Sequence, residues 1–351
     1  MSWVRQLARP DIVALEAYEH AIWDPTLERL HANELPWRAM ADDSQAGLNR
    51  YPEPQPRALI ERLASLYGVA PECVLVGRGS DEAIDLLTRG FCRAGTDAVI
   101  ICPPTFGMYC VAARIQGAEV IQVPLRAAAD FALDEQAVLE RCTGNVKLVF
   151  LCSPNNPTGN RLDEEAVLRL ATALAGRAIL VVDEAYIEFA EAASLARHIR
   201  ALPQLAILRT LSKAHALAGA RCGTLIAEPE IIALLRKVIP PYALAQQTTE
   251  SVLKALEPSQ LRIARAQIDT IRQERQRMLT ELPRMAGVRR VWPSQANFVL
   301  ASFAEPGEAL ARARAARLLI RDVRGYLGLQ SCLRITVGSP EQNSRLLEAL
   351  R

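Results

Sequence analysis

The sequence predicts an α/β fold: a large domain with a mostly parallel seven-stranded sheet covered by helices, a smaller α+β C-terminal domain, and an N-terminal arm. Three observations carry this expectation. Seven short apolar or β-branched runs recur between residues 73 and 227: "CVLVG", "AVIIC", "EVIQV", "LVFLC", "AILVVD", "LAILRT" and "CGTLIA". Amphipathic stretches of helical period separate most of them. After about residue 228 the texture changes to long helical patterns followed by shorter strand candidates. Continuous apolar strands alternating with helices imply a parallel sheet buried on both faces.

The elements follow in order. The N-terminal segment, with Trp3, Tyr18, Trp23 and Trp37, has no strand pattern and is expected to pack as an arm. "PRALIERLASLY", "SDEAIDLLTRGF" and "DEEAVLRLATALA" place apolar residues three and four apart and read as helices between strands. "RIARAQIDTIRQERQRMLTEL" has arginines at helical spacing beside Ile and Leu, the pattern of an amphipathic helix with a wet face. "NFVLASF", "LLIRDV" and "CLRITVG" are the strand candidates of the smaller domain. The expected division is 1–45 for the arm and a small-domain segment, 46–240 for the large domain and 241–351 for the small domain.

The chain has 351 residues, half of them hydrophobic, enough for a large core and a second, smaller one. Basic and acidic residues number 41 and 39, a formal charge of +2, which does not suggest nucleic-acid binding. The eight cysteines show no CxxC spacing and mostly sit in apolar runs, as expected of small buried residues in a reducing cytoplasm. Four scattered histidines without HExxH give no reason to expect a metal site. Asp11 and Glu16 follow soon after the first arginines, without a long apolar core, so a signal peptide is not expected. The longest apolar runs fall far below the roughly 18 residues of a membrane span.

Polar motifs are concentrated at strand ends. "GRGSDEA", "PPTFGMY", "SPNNPTG", "DEAY" and "RTLSK" each follow or close a predicted strand. In open α/β sheets the carboxyl ends of strands line the ligand crevice, so five motifs there are most simply one site. "GRGSDEA" carries Glu82 where a dinucleotide fingerprint wants glycine, and it lacks the Walker Lys-Ser/Thr. Ser80 and Asp81 could open a helix whose first amides hold a phosphate, or could serve as an ordinary cap. Asn156 reads either as part of a turn or as an amide donor into the crevice. Asp183 ends a buried apolar strand, so it needs a partner: as a helix cap, or as counter-ion to a buried heterocyclic cation that Tyr186 could also reach.

Lys213 stands after Thr210 and Ser212 and before Arg221. An ordinary lysine, with a pKa of roughly 10.4, is a poor nucleophile at neutral pH. A Schiff base with an aldehyde in a partly dry crevice removes that obstacle. The hydroxyls of Thr210 and Ser212 and the Arg221 fork would then hold a phosphate on the same ligand. A cationic ring nitrogen, an aldehyde, a phosphate and a ring hydroxyl together describe pyridoxal phosphate.

These motifs, with "HANE", "NRYPEPQP", "DEAYIEF", "RTLSKA", "LAGARCG" and "CLRITVG", run in order through nearly the whole chain. The chain thereby resembles the fold type I pyridoxal-phosphate enzymes, and among them the histidinol-phosphate aminotransferase family. The resemblance implies that Lys213 bonds the cofactor covalently and that Asp183 pairs with its ring nitrogen. Tyr186 and Asn156 would hydrogen-bond the ring oxygen, and Phe106 would stack on the ring. Ser80, Asp81, Thr210, Ser212 and Arg221 would hold the phosphate, joined by Tyr51 from the neighbouring subunit of a homodimer. Arg334 would bind the substrate anion, with Arg321, Tyr18 and Asn156 as further contacts. The implied reaction is amino transfer between L-histidinol phosphate and 2-oxoglutarate, giving imidazole-acetol phosphate and L-glutamate in histidine biosynthesis. Rival expectations are an aromatic amino-acid aminotransferase, a decarboxylase acting on threonine phosphate, and a non-catalytic protein that kept the fold. Phe106 stands where the family commonly has tyrosine, His31 where it has asparagine, and His215 where it has an aromatic.

Overall fold

The computed structural model describes residues 2–22, 24 and 26–351; Trp23 of the expected arm lies outside the described residues. Seven strands form the large sheet: β1 (Val74–Gly77), β2 (Ala98–Ile101), β3 (Glu119–Gln122), β4 (Val146–Cys152), β5 (Ile179–Asp183), β6 (Leu205–Thr210) and β7 (Gly223–Ile226). Their order is β1-β7-β6-β5-β4-β2-β3. The pairs from β3 to β6 are parallel, and β7 runs antiparallel to both β1 and β6. Because β7 is reversed between them, β1 points the same way as β6. The carboxyl ends of β1, β2, β4, β5 and β6 therefore share one edge with the start of β7. This is the mostly parallel seven-stranded sheet that the apolar runs predicted.

Both faces are covered. On β4, Val149 and Leu151 enter one apolar cluster, while Leu148, Phe150 and Cys152 enter the other. β5 divides in the same way, Leu180 and Val182 against Ile179 and Val181. Such alternation is the period-two geometry of a strand buried on both sides. The helices stop where their chemistry says they should. Arg57–Tyr67 ends at Gly68 (φ 68°), a left-handed C-cap that glycine adopts without strain. Glu164–Ala173 starts on Asp163, whose carboxylate accepts the Ala166 N–H at 3.1 Å.

The second sheet, β8 (Val288–Val291), β9 (Phe298–Phe303), β10 (Arg321–Asp322) and β11 (Cys332–Thr336), is antiparallel throughout in the order β10-β11-β9-β8. It forms its own core with helices Pro258–Glu281, Pro306–Ala315 and Pro340–Leu350. β8 was not among the expected strands, because its two central arginines hide the alternation. The long helix is as expected, but its arginine face is not uniformly wet. Arg275 is buried and donates to the carbonyls of Phe189 and Ala296, both at 2.9 Å. Neighbouring Arg272 donates to those of Glu188 and Ala190, at 2.8 and 2.7 Å. The two guanidiniums fasten this helix to the turn just beyond Tyr186.

Trp3–Leu7 packs Val4 and Leu7 into one face of the large sheet. Between Pro10–Ala14 and Arg57 the described residues form no helix or strand. Glu34 organises this strip. Its carboxylate, 3% exposed, pairs with Arg50 at 3.0 Å and accepts the Tyr51 N–H at 2.7 Å. All eight cysteines are unpaired. No helix among the described residues is long and apolar enough to cross a membrane.

Candidate active site

The shared edge of the large sheet opens into a cleft of about 330 Å³. It is lined by Ser80, Asp81, Phe106, Asn156, Asp183, Tyr186, Thr210, Ser212, Lys213, Arg221, Arg321 and Arg334, together with Tyr326. Twelve of the fourteen residues singled out in the sequence thus meet in one place. Tyr18 and Tyr51 do not line it. Both are exposed, on an aromatic row in which Tyr18 meets His20, His20 meets Tyr242, and Tyr242 stacks on Tyr51 with centroids 4.6 Å apart.

At one end of the cleft is an anion cradle. Helix Ser80–Phe91 begins there, with the unpaired amides and partial positive charge of its N-terminus. Arg221, in a left-handed conformation (φ 54°), brings Nη2 to 3.3 Å from Asp81 Oδ2. The Thr210 hydroxyl lies 3.0 Å from Ser212 Oγ and accepts the Ser212 N–H at 3.2 Å, so it braces Ser212 from behind. The cradle depends on bare backbone. A Cβ on Gly223 would stand 2.3 Å from the Gly79 carbonyl carbon and 2.4 Å from Ser80 N. Gly223→Ala should therefore push the helix start out of place. The expected result is a loss of roughly 1–3 kcal/mol in denaturant unfolding, with weaker binding of inorganic phosphate. Unchanged stability and phosphate affinity would show that the close approach is unimportant.

Asp183 closes β5 in the floor of the cleft and is 2% exposed. Its oxygens accept from the Tyr109 hydroxyl at 2.8 Å and from Ala185 N–H at 3.0 Å. No cation among the described residues stands in ion-pair contact with it. Burial pushes its pKa up to about 6, against the pull of the Tyr109 and Ala185 donors. A buried carboxylate in this state gains most from a cationic ligand. Lys213 faces the cleft. Partial desolvation, then the positive charge of Arg334, holds its amine below the ordinary lysine range. On the far wall, the guanidinium of Arg334 donates to Asn156 Oδ1 at 2.5 Å and lies over the Phe298 ring at 5.1 Å. Its Nε is buried without a partner among the described residues. The amide of Asn156 in turn donates to the Tyr186 hydroxyl at 3.3 Å.

Two contributors escaped the sequence reading. Tyr109 sits inside "PPTFGMY", a motif that drew attention only to Phe106. Its link to Asp183 spans 74 residues and leaves no local signal. Arg209, one residue before Thr210, is buried and pairs with Glu188 at 2.7 Å and Glu184 at 3.8 Å. It ties the strand leading to the lysine to the turn carrying Tyr186. An arginine ending an apolar strand was visible, but its partners were not.

A lysine amine, a buried carboxylate lacking a cation and an anion cradle share one cleft. The donor set fits a phosphorylated aldehyde with a cationic ring, the chemistry of pyridoxal phosphate. Comparison with known proteins agrees. The aminotransferase class I and II family matches residues 28–350. A histidinol-phosphate aminotransferase of Stenotrophomonas maltophilia (strain R551-3) is 46% identical, over 99% of this chain and 96% of that protein. The crystal structure of the Clostridium acetobutylicum histidinol-phosphate aminotransferase has the same fold, with TM-score 0.78 and 23% identity over 86% of this chain and 90% of that one. The Sinorhizobium meliloti histidinol-phosphate aminotransferase, solved in complex with pyridoxal-5'-phosphate, gives TM-score 0.77 and 25% identity over 86% and 82%. The chain belongs to the aminotransferase class I and II family and, within it, to the histidinol-phosphate aminotransferase family.

Proposed function

We propose that the cleft transfers an amino group between L-histidinol phosphate and 2-oxoglutarate, giving imidazole-acetol phosphate and L-glutamate in histidine biosynthesis. The observation that carries this reading is the meeting of Lys213, Asp183 and Arg334 in one cleft, in a chain 46% identical to a histidinol-phosphate aminotransferase over almost its full length. Pyridoxal phosphate, when bound, supplies an aldehyde that exchanges amine partners and a ring that accepts the electron pair of the broken Cα–H bond.

The chain's own residues do the rest. Ser80 and Asp81 amides, Ser212 and Arg221 would hold the phosphate, with Thr210 bracing Ser212. Asp183 would stabilise the positive ring nitrogen, while Tyr186 and Asn156 would hold the ring oxygen and Phe106 would cover the ring face. Lys213 Nζ, its proton affinity already lowered by the cleft, would take the Cα proton and return it to the cofactor carbon. Such proton transfer is worth about 10²–10⁴-fold. The Arg334 fork suits either a carboxylate or a phosphate, so one residue could serve both substrates in turn, with Arg321 beside it. Glutamate-dependent turnover with no carbon dioxide release from threonine phosphate is the expected result. The reverse would favour the decarboxylase, and faster turnover of phenylalanine than of histidinol phosphate would favour an aromatic aminotransferase.

We also propose a homodimer in which Tyr51 completes the neighbour's phosphate site. Supporting this, Tyr51 is exposed and absent from its own cleft, and the strip around it exposes Ile22, Leu30, Leu35, Trp37 and Met40. For Tyr18 to touch substrate, the same strip must lie over a cleft in the assembly. The domain limits 1–45, 46–240 and 241–351 and a cytoplasmic location belong to the same reading, the latter supported by eight unpaired cysteines. Tyr51→Phe should weaken cofactor binding by about one to two powers of ten. Mixing Lys213→Ala subunits with subunits lacking the Tyr51 ring leaves one site of each mixed dimer doubly defective and the other intact. Activity should return to about a quarter of the parent level. No return, with subunit exchange confirmed, would leave Tyr51 serving its own chain or no site.

A further inference from the structure

Tyr109 lies in the first turn of helix Met108–Gln116 and is wholly buried beneath the cleft. Its ring is parallel to that of Phe150 on β4, with centroids 5.0 Å and planes 5° apart. It meets Phe106, which lines the cleft, edge-on at 5.6 Å and 82°. Its hydroxyl donates to Asp183 Oδ2 at 2.8 Å, while the Ala185 N–H donates to Oδ1 at 3.0 Å. Each carboxylate oxygen thus has one donor, and the two contacts together fix the plane of the group.

Packing alone does not explain this tyrosine. A phenylalanine would fill the same stack between Phe150 and Phe106 without carrying a hydroxyl into the core. A buried hydroxyl is costly unless it is bonded, so its place is explained by the carboxylate it meets. We propose that Tyr109 is a positioning residue for the transamination: its hydroxyl aims and holds Asp183 against the cofactor's ring nitrogen, and its clamped ring keeps Phe106 in register with that carboxylate. The proposal rests on the reading of Asp183 as the partner of the ring nitrogen.

The electrostatics run the same way. Burial raises the Asp183 pKa, and the bond from Tyr109 is the largest influence lowering it. Asp81 and Lys213 also act on Asp183, with opposite signs, and Cys152 and Tyr186 stand close enough to feel its charge. Tyr109 itself is pushed well above the ordinary tyrosine range, first by burial and then by the Asp183 charge. It keeps its proton at working pH and serves as a donor, never as a base.

The test is a double-mutant cycle of Tyr109→Phe, Asp183→Asn and the two combined. Pyridoxal phosphate affinity of the apoproteins is read by fluorescence quenching, and kcat and KM are measured with L-histidinol phosphate. Tyr109→Phe should lower kcat by about tenfold and weaken cofactor binding by no more than Asp183→Asn does, about threefold, with KM moving less than about threefold. Because Tyr109 acts through Asp183, the double variant should be within about twofold of Asp183→Asn alone. Losses that multiply in the double variant would mean that Tyr109 supports the fold instead, and the proposal fails. If Tyr109→Phe matches the parent while Asp183→Asn is crippled, the role of Tyr109 falls and that of Asp183 stands. If Asp183→Asn also matches the parent, both fall together.

Discussion

Lys213→Ala should abolish nearly all turnover while leaving a folded protein that still binds cofactor. The side chain faces the cleft and makes no ion pair or hydrogen bond among the described residues, so its removal opens space without leaving one of their buried groups unpaired. The proposed phosphate cradle of Ser80, Asp81, Ser212 and Arg221 is untouched, which is why binding should survive. What disappears is the amine that, in the proposed reaction, would bond the cofactor and carry the Cα proton. A positioned base alone is worth about 10²–10⁴-fold, and loss of the covalent link adds to that. Steady-state rates, with the absorbance of the bound cofactor, make the measurement. Turnover within tenfold of the parent would overturn the assignment.

Asp183→Asn should slow proton abstraction by orders of magnitude while retaining much of the cofactor affinity. The amide is nearly the same shape but offers the ring nitrogen no negative charge, so the ring loses its protonated form and with it much of its capacity to accept electrons. Single-turnover rates with a deuterated substrate would expose the slowed step, and parent-like rates would reduce Asp183 to a structural cap. The same residue makes a pH prediction for the apoprotein. Its folded pKa is about 6, raised by burial from the ordinary value of 3.8. Between those values the folded state holds a proton that the unfolded state has lost. Apoprotein stability should therefore fall as pH rises from about 4 to about 6, by up to roughly 1.4 kcal/mol per unit, and Asp183→Asn should lack that slope. Equal slopes in urea unfolding across this range would contradict the buried, cation-free carboxylate.

Both expectations rest on residues legible in the sequence, and the reason is local. A buried strand announces itself as a continuous apolar run, and whatever polar residue ends it stands at the sheet edge. "AILVVD" and "LAILRT" therefore located Asp183 and the loop carrying Lys213, just as "LVFLC" located Asn156. The alternation of such runs with amphipathic stretches was enough for the layered α/β architecture, since each element's period reports how many of its faces are buried. Direction was not local. Only strand pairing reveals that β7 is reversed, and this reversal places Arg221, which precedes β7, on the same edge as the ends of β1 and β6.

Contacts between distant residues were likewise decided by tertiary structure. The bond from Tyr109 to Asp183 and the buried pairing of Arg209 with Glu188 and Glu184 join segments whose own periodicities say nothing of each other. Arg275 reads in sequence as one more arginine on a wet helix, yet it is buried because the Phe189 and Ala296 carbonyls meet at that point and need a donor. The local pattern of the chain fixes which residue types stand at the strand ends, and with them the chemistry open to the cleft. Which of them touch is set by packing in three dimensions, because hydrogen bonds and ion pairs depend on distance in space and the chain pattern encodes only burial and turn.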